Sequence, residues 1–178
     1  DDNDDDITGE DVHNISENIT NVMSSNSFYS EVYTKIYVKL IDKYDFIQDT
    51  LNSKLENYIS NYSGIVDVNP DENYDLFCSK NKENDIRRAN TLFYTNLTKN
   101  NKLDEKLLVE FIVSLCDKIA DNIHIAGSVS MIDEMIENIS IMILTNPRLY
   151  TLLNEITPST NNMNGKNVKE YLISLSQT

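Results

Sequence analysis

Two groups of side chains in this chain have the types and spacing to do chemistry. One is the adjacent pair Arg87 and Arg88. The other is the aromatic cluster Phe28, Tyr29 and Tyr33, which follows Asn26. A guanidinium pair suits a partner's carboxylates or RNA phosphate, and it equally suits acids of its own chain, with Glu83 and Asp85 close by. Aromatic residues at a turn between helices can anchor a partner or simply staple the turn to its own core. The wider tyrosine series, Tyr29, Tyr33, Tyr37, Tyr44, Tyr58 and Tyr62, reads as the edge of an amphipathic core rather than a base-stacking platform. His13 and His124 lie far apart with no metal-ligand spacing, so each is read as a surface or satisfied core histidine. Cys78 and Cys116 are read as small buried hydrophobes rather than a disulfide or a nucleophile. No Gly-rich phosphate loop, Ser-His-Asp set or metal-binding cluster is present in the sequence, so an enzyme is not expected and no cofactor is implied.

The elements that must position these groups are helical. Ile86, Ala89, Phe93 and Leu97 recur at helical spacing, as do Leu103, Leu107, Phe111, Leu115 and Ile119 after a short polar break. Two such helices joined by a few residues pack antiparallel. A first helix is predicted from about Glu10 to Ser24, with Val12, Ile15, Ile19 and Val22 or Met23 on one face. A second runs from about Phe28 to Tyr44 with Val32, Ile36 and Leu40 as its buried stripe, and Glu31 as part of its cap. A third carries Phe46, Leu51, Leu55, Tyr58 and Tyr62 and ends at Ser63-Gly64. A fourth element, Glu72 to Lys82, either continues into the Ile86 helix or kinks near Asn84. The Leu103 helix extends to Ile125 and stops at Gly127. Ser130 should cap a helix of Ile132, Met135, Ile139 and Ile143, and Pro147 should open a short helix ending near Ile156. Pro158 to Lys166 reads as a loop and Asn167 to Ser176 as a last helix. No period-2 alternation stands out, so the expected fold is all-α, a solenoid of stacked antiparallel helical hairpins.

Composition agrees. The 178 residues include only four glycines and three prolines, which favours long helices over turn-rich β structure. The length suits one domain, placed at residues 10–178 behind a disordered acidic tail at 1–9 that opens with five aspartates in six residues. A net charge of −14 repels nucleic-acid backbones and favours a basic protein partner or plain solubility. No apolar run approaches the roughly 20 residues needed to cross a bilayer, and no signal-peptide pattern is visible, so a cytoplasmic location is expected. The chain starts without methionine, so a trimmed chain or an internal domain is expected. Asn, Ile, Lys and Tyr outnumber Arg, Ala and Gly, pointing to an AT-rich genome such as some parasites, low-GC microbes and large DNA viruses have.

One family shares an ordered series of these features. Ile19 to Ile41 resembles the helix, aromatic loop and following helix of the middle domain of eukaryotic translation initiation factor 4 gamma. Asp75-Leu76-Phe77-Cys78-Ser79-Lys80-Asn81-Lys82-Glu83 is similar to that domain's Leu-Leu-Asn-Xaa-Cys-Gln-Lys-Glu segment. Arg87 to Leu97 resembles the Arg-rich start and Phe-Xaa-Xaa-Xaa-Leu pattern of its next helix, with the Asn differently placed. Lys102-Leu103-Asp104-Glu105-Lys106 is similar to the Leu-Thr-Glu opening after that. The resemblance spans roughly residues 12 to 145 in order. The charged insertion that many members carry before the Arg pair is absent, and so is the Ser-Ser-Arg-Ile-Arg-Phe closing pattern. Those departures fit a shortened, divergent version such as a large DNA virus encodes.

The resemblance implies HEAT-type hairpins and no active site. It also implies a role as a translation-initiation scaffold that clasps a DEAD-box RNA helicase, like initiation factor 4 alpha, and holds it active. A cap-binding protein and RNA would be reached through regions outside this chain. Asn26, Phe28, Tyr29, Tyr33, Arg87 and Arg88 are then the candidate partner-binding residues. Two alternatives remain open: a scaffold of the same fold in RNA decay or splicing, and a viral helical bundle that grips helical peptides of its host.

Overall fold

The computed structural model describes residues 8–60, 62, 65–66 and 68–156. The acidic opening at residues 1–7, the Ser63-Gly64 helix end, and the expected loop and last helix beyond Ile156 lie outside the described residues. The described chain forms α1 (Gly9–Ser25), a 3-10 turn (Ser27–Tyr29), α2 (Ser30–Lys43), α3 (Phe46–Ser60), α4 (Tyr74–Lys99), α5 (Glu105–Asn122), α6 (Val129–Thr145) and α7 (Arg148–Ile156), with no strand among the described residues. The fold is all-α.

Local signals set the helix ends. Thr8 and Asp11 form a reciprocal capping box at the start of α1. Asp104 Oδ1 accepts from Lys106 N–H at 2.9 Å to cap α5. The helix of Met135 and Ile139 begins at Val129 behind Ser128, two residues earlier than the cap expected at Ser130. Residues 74–99 form one continuous helix of 26 residues, so the alternative of a break near Asn84 falls away. At its end Asn101 takes φ +57°, and the Lys102 and Asn101 N–H groups donate to the Leu97 and Thr98 carbonyls, both at 2.9 Å. That is a Schellman closure with asparagine in the left-handed position usually held by glycine. Lys102 then pairs with Asp42, and its carbonyl accepts from Gln48 Nε2 at 3.0 Å, tying the α4–α5 turn to α2 and α3.

The long helix α4 organises the core. It packs against α1 and α2 and also against α6, while α5 packs on α6 and α7. Phe93 is fully enclosed and meets the Tyr37 ring edge-on at 5.4 Å and 87°. Leu51, Leu55, Leu97, Leu108, Ile112, Leu115, Ile119 and Ile139 fill the same interior. Burial of each such side chain contributes roughly 1.5–3 kcal/mol.

Several faces differ from the periodic expectation. On α2 the buried residues are Ser30, Thr34, Tyr37 and Ile41, whereas Val32 and Ile36 are exposed and Leu40 is half-buried. The helix is thus turned away from the Val32–Ile36–Leu40 stripe. The cause lies in its neighbours: Ser30 and Thr34 are small enough for close approach, and their hydroxyls are satisfied. Thr34 Oγ1 donates to the Ser30 carbonyl at 2.8 Å, and Ser30 Oγ accepts from Asn96 Nδ2 on α4 at 3.3 Å. One turn on, Tyr37 Oη accepts from Ser16 Oγ on α1 at 2.9 Å. On α1, likewise, Ser16 and Thr20 are buried while Ile15 and Val22 are exposed. Phe46 and Leu107 also face outward, with Ile47 and Leu108 buried in their place. Cys78, expected inside, is exposed, and Cys116 is half-buried with its thiol pushed up to about 12 by burial and then by Asp117. His13 and His124 are both exposed.

Candidate partner-binding surface

Asn26 ends α1 and starts the 3-10 turn. Its N–H donates to the Met23 carbonyl at 3.2 Å, and its Oδ1 accepts from Phe28 N–H at 3.2 Å. The consequence is a tight turn that pushes Phe28 outward, leaving it 85% exposed. Its ring stands edge-on to Tyr29 at 4.9 Å, and Tyr29 stands edge-on to Tyr33 at 6.5 Å. Tyr33 is half-buried against the core, so the three rings form a ladder from solvent to interior. Asn26 therefore acts as the shaper of the turn, Phe28 and Tyr29 as its presented surface, and Tyr33 as its foundation.

The rotation of α2 adds to this surface. Val32 and Ile36 follow Tyr29 along the exposed face of the helix. Beside Phe28 lies a hollow of about 330 Å³ floored by Ser30, Leu92 and Asn96 and bordered by Glu31, Lys99 and Leu144. Leu144, on the last turn of α6, is 70% exposed. An exposed aromatic beside a hollow, with further apolar residues around it, has the makeup of an interface hot spot. Val32, Ile36 and Leu144 are not predicted as surface residues by periodicity, because an apolar residue at helical spacing reads as core whichever way the helix is turned.

Arg87 and Arg88 belong elsewhere. Both address Glu134 of α6, whose side chain is buried. Arg88 Nε and Nη2 donate to Glu134 Oε2 at 3.0 and 2.6 Å, while Arg87 Nη1 sits 3.9 Å from Oε1 and donates to Asn84 Oδ1. Glu134 Oε1 accepts from Asn138 Nδ2 at 2.8 Å. Thr91 Oγ1 donates to Asn138 Oδ1, and Tyr58 Oη shares a hydrogen bond with Thr91. A chain of polar groups thus runs from Tyr58 on α3 through α4 into α6. Burial works against the Arg88 charge, yet its hydrogen bond to Glu134, then the charges of Glu134, Glu137 and Asp85, holds its pKa above the ordinary value. The intramolecular alternative therefore describes the arginines, with Glu134 as the acid in place of the nearby Glu83; Asp85 adds a looser pair to Arg88 at 3.9 Å. A trace of this seam exists in the sequence: Glu134 and Asn138 are four residues apart beside Met135 and Ile139, placing two polar groups on an apolar face.

No group of His, Cys, Asp and Glu suited to a metal occurs among the described residues. No helix among them is long and apolar enough to cross a membrane. Comparison with family models, curated proteins and solved structures finds no match.

Proposed function

We propose that this chain is a non-catalytic scaffold domain that docks a partner protein on the Phe28–Tyr29 surface. The observation that carries the reading is the outward presentation of Phe28 on a turn fixed by Asn26, backed by Tyr29 and Tyr33 and bordered by a hollow. An exposed, held aromatic loses little side-chain freedom on binding and buries a large apolar area. The partner that suits the ordered resemblance from Ile19 to the Leu103 helix is a DEAD-box RNA helicase of translation initiation, with HEAT-type stacking of the hairpins as the scaffold. A two-lobed ATPase is biased by a surface that binds one lobe arrangement better than the other, and a few kcal/mol of differential affinity suffices. The acidic surface favours a basic lobe and speeds encounter.

Calorimetry and an ATPase assay with the helicase of the same source test this. Binding with raised RNA-stimulated ATPase is expected, with no hydrolysis by the scaffold alone. Phe28→Ala should weaken the complex by about 1–3 kcal/mol. No binding at micromolar concentration by the folded domain rejects the helicase. Binding unaffected by Phe28→Ala rejects the surface.

A further inference from the structure

The outward face of α2 has a charge opposite in sign to that of the chain. The chain carries −14, yet Lys35, Lys39 and Lys43 all stand exposed on this one helix. Their spacing of four residues sets them in a single row about 12 Å long. Elsewhere Lys54 is answered by Glu17, Lys80 by Glu83 and Lys102 by Asp42. In this row no lysine has a carboxylate within ion-pair distance among the described residues. Lys43 meets only the Tyr44 ring, whose centre lies 5.2 Å from its ammonium. Of the acids on α2, Asp42 is taken by Lys102, which leaves Glu31 alone against the three lysines.

An apolar row runs beside the charged one. Val32 and Ile36 are exposed four residues apart, and Phe28 continues their line into the 3-10 turn. Lys35 follows Val32 by three positions and Lys39 follows Ile36 by three, so the two rows are neighbours on one face. Parallel rows at a spacing of four are the ridges that a second helix meets when it packs ridge into groove. An apolar seam flanked by charge is also how helices choose partners, the seam giving contact area and the charges giving sign. The two rows suit a helix better than the other polyanions that lysines attract. RNA offers nothing apolar to Val32 and Ile36. An anionic bilayer extends past the row and meets the rest of a strongly acidic chain.

We infer that α2 receives an acidic amphipathic helix of a partner protein, its apolar ridge on Phe28, Val32 and Ile36 and its carboxylates on Lys35, Lys39 and Lys43. The inference rests on the reading of the Phe28–Tyr29 surface as a docking site and names what the partner presents there. A helix laid on another in this way is read through anchors three and four residues apart. The charge of −14 acts at a different range. The field of the whole chain draws in a partner that is basic overall, whereas contact is decided within a screening length of about 8 Å at physiological salt, where the lysines dominate.

The test is titration of the isotope-labelled full chain by NMR with a capped peptide of four Leu-Ala-Ala-Glu repeats, whose Leu and Glu rows repeat the spacing on α2. Its Lys counterpart, a scrambled Glu peptide, oligouridylate and phosphatidylserine–phosphatidylcholine vesicles are the comparisons. The Glu peptide should shift the Val32, Lys35, Ile36 and Lys39 resonances, with the Lys and scrambled peptides each about tenfold weaker. Lys35→Glu combined with Lys39→Glu should keep the thermal midpoint, because both side chains are exposed. The same double reversal should exchange the preference, weakening the Glu peptide about tenfold and admitting the Lys peptide. Phe28→Ala separates the two readings. If it weakens the Glu peptide and the double reversal does not, the docking surface stands and the acidic partner is rejected; if neither weakens it, both are rejected. Shifts confined to other helices, equal binding of the Lys or scrambled peptide, or tighter binding of oligouridylate or vesicles overturn the inference. So do shifts of the same resonances with protein concentration alone, which assign the face to a second copy.

Discussion

The contact between α4 and α6 and the surface around the 3-10 turn invert the usual distribution of polarity. Inside, Glu134, Asn138, Thr91, Asn96 and Thr98 are buried; outside, Phe28, Val32, Ile36 and Leu144 face solvent. The first region shows that polar groups enter a core when each finds a partner there. Glu134 alone receives hydrogen bonds from Arg88 and Asn138. The second shows that apolar groups stay outside when the helix carrying them has a better face to bury. On α2 that face holds Tyr37, locked between Ser16 and Phe93. Burial here follows the availability of partners rather than the polarity of the single residue. The polar seam is accordingly expected to maintain structure, and the apolar patch to be free for another molecule.

The largest expected effect gives the apolar core as a yardstick. Phe93→Ala should cost about 3–5 kcal/mol through lost burial and a cavity, measured by urea unfolding. A cost near zero would mean that the α4–α2 contact is loose. Glu134→Ala should approach that figure, at about 3 kcal/mol, because it removes the carboxylate that Arg88 and Arg87 share and one of the two acceptors of the Asn138 amide. The exposure of Arg88 moderates the loss, since 41% of its side chain already meets water. A cost below about 1 kcal/mol would show that the seam is no more than a surface pair and would erase the contrast.

Alkali tests the interior next. Burial raises the pKa of Tyr37, Tyr58, Tyr62, Tyr94 and Cys116. A raised folded-state pKa means that the unfolded chain releases these protons first. Stability from these groups is full at neutral pH and is lost as pH rises, across 9.0 to about 12 for the thiol. The urea midpoint should therefore fall steadily above about pH 9. A flat profile would mean that these groups are reached by water. The smallest expected effect is at the patch: Phe28→Ala and Val32→Ser should each change stability by less than about 0.5 kcal/mol. A loss above about 1 kcal/mol from either would place that residue in the core and turn the patch into structure.

The two regions also differ in how legible they are from sequence. The turn at Asn26–Tyr29 is readable because its geometry is local: an asparagine caps two residues ahead, and the aromatic residues follow directly. The polar seam is not, because Arg88 and Glu134 are separated by 46 positions and the nearer acids Glu83 and Asp85 are equally plausible partners. The buried stripe of α4, namely Ala89, Phe93 and Leu97, follows from spacing alone since every rotation of that helix that buries Phe93 buries the others. On α2 spacing offers two stripes, Val32–Ile36–Leu40 and Tyr37–Ile41, and periodicity cannot rank them.

By itself, then, the sequence determines that this chain is helical and roughly where each helix starts and stops, because hydrogen bonding and capping act over three or four residues. It also determines that α4 and α5 are joined by a short polar break. Only the tertiary structure decides how far each helix is rotated about its own axis and which carboxylate the arginines meet. Those outcomes depend on contacts between segments distant in sequence, where the fit of one helix against three others outweighs the preference of any single face.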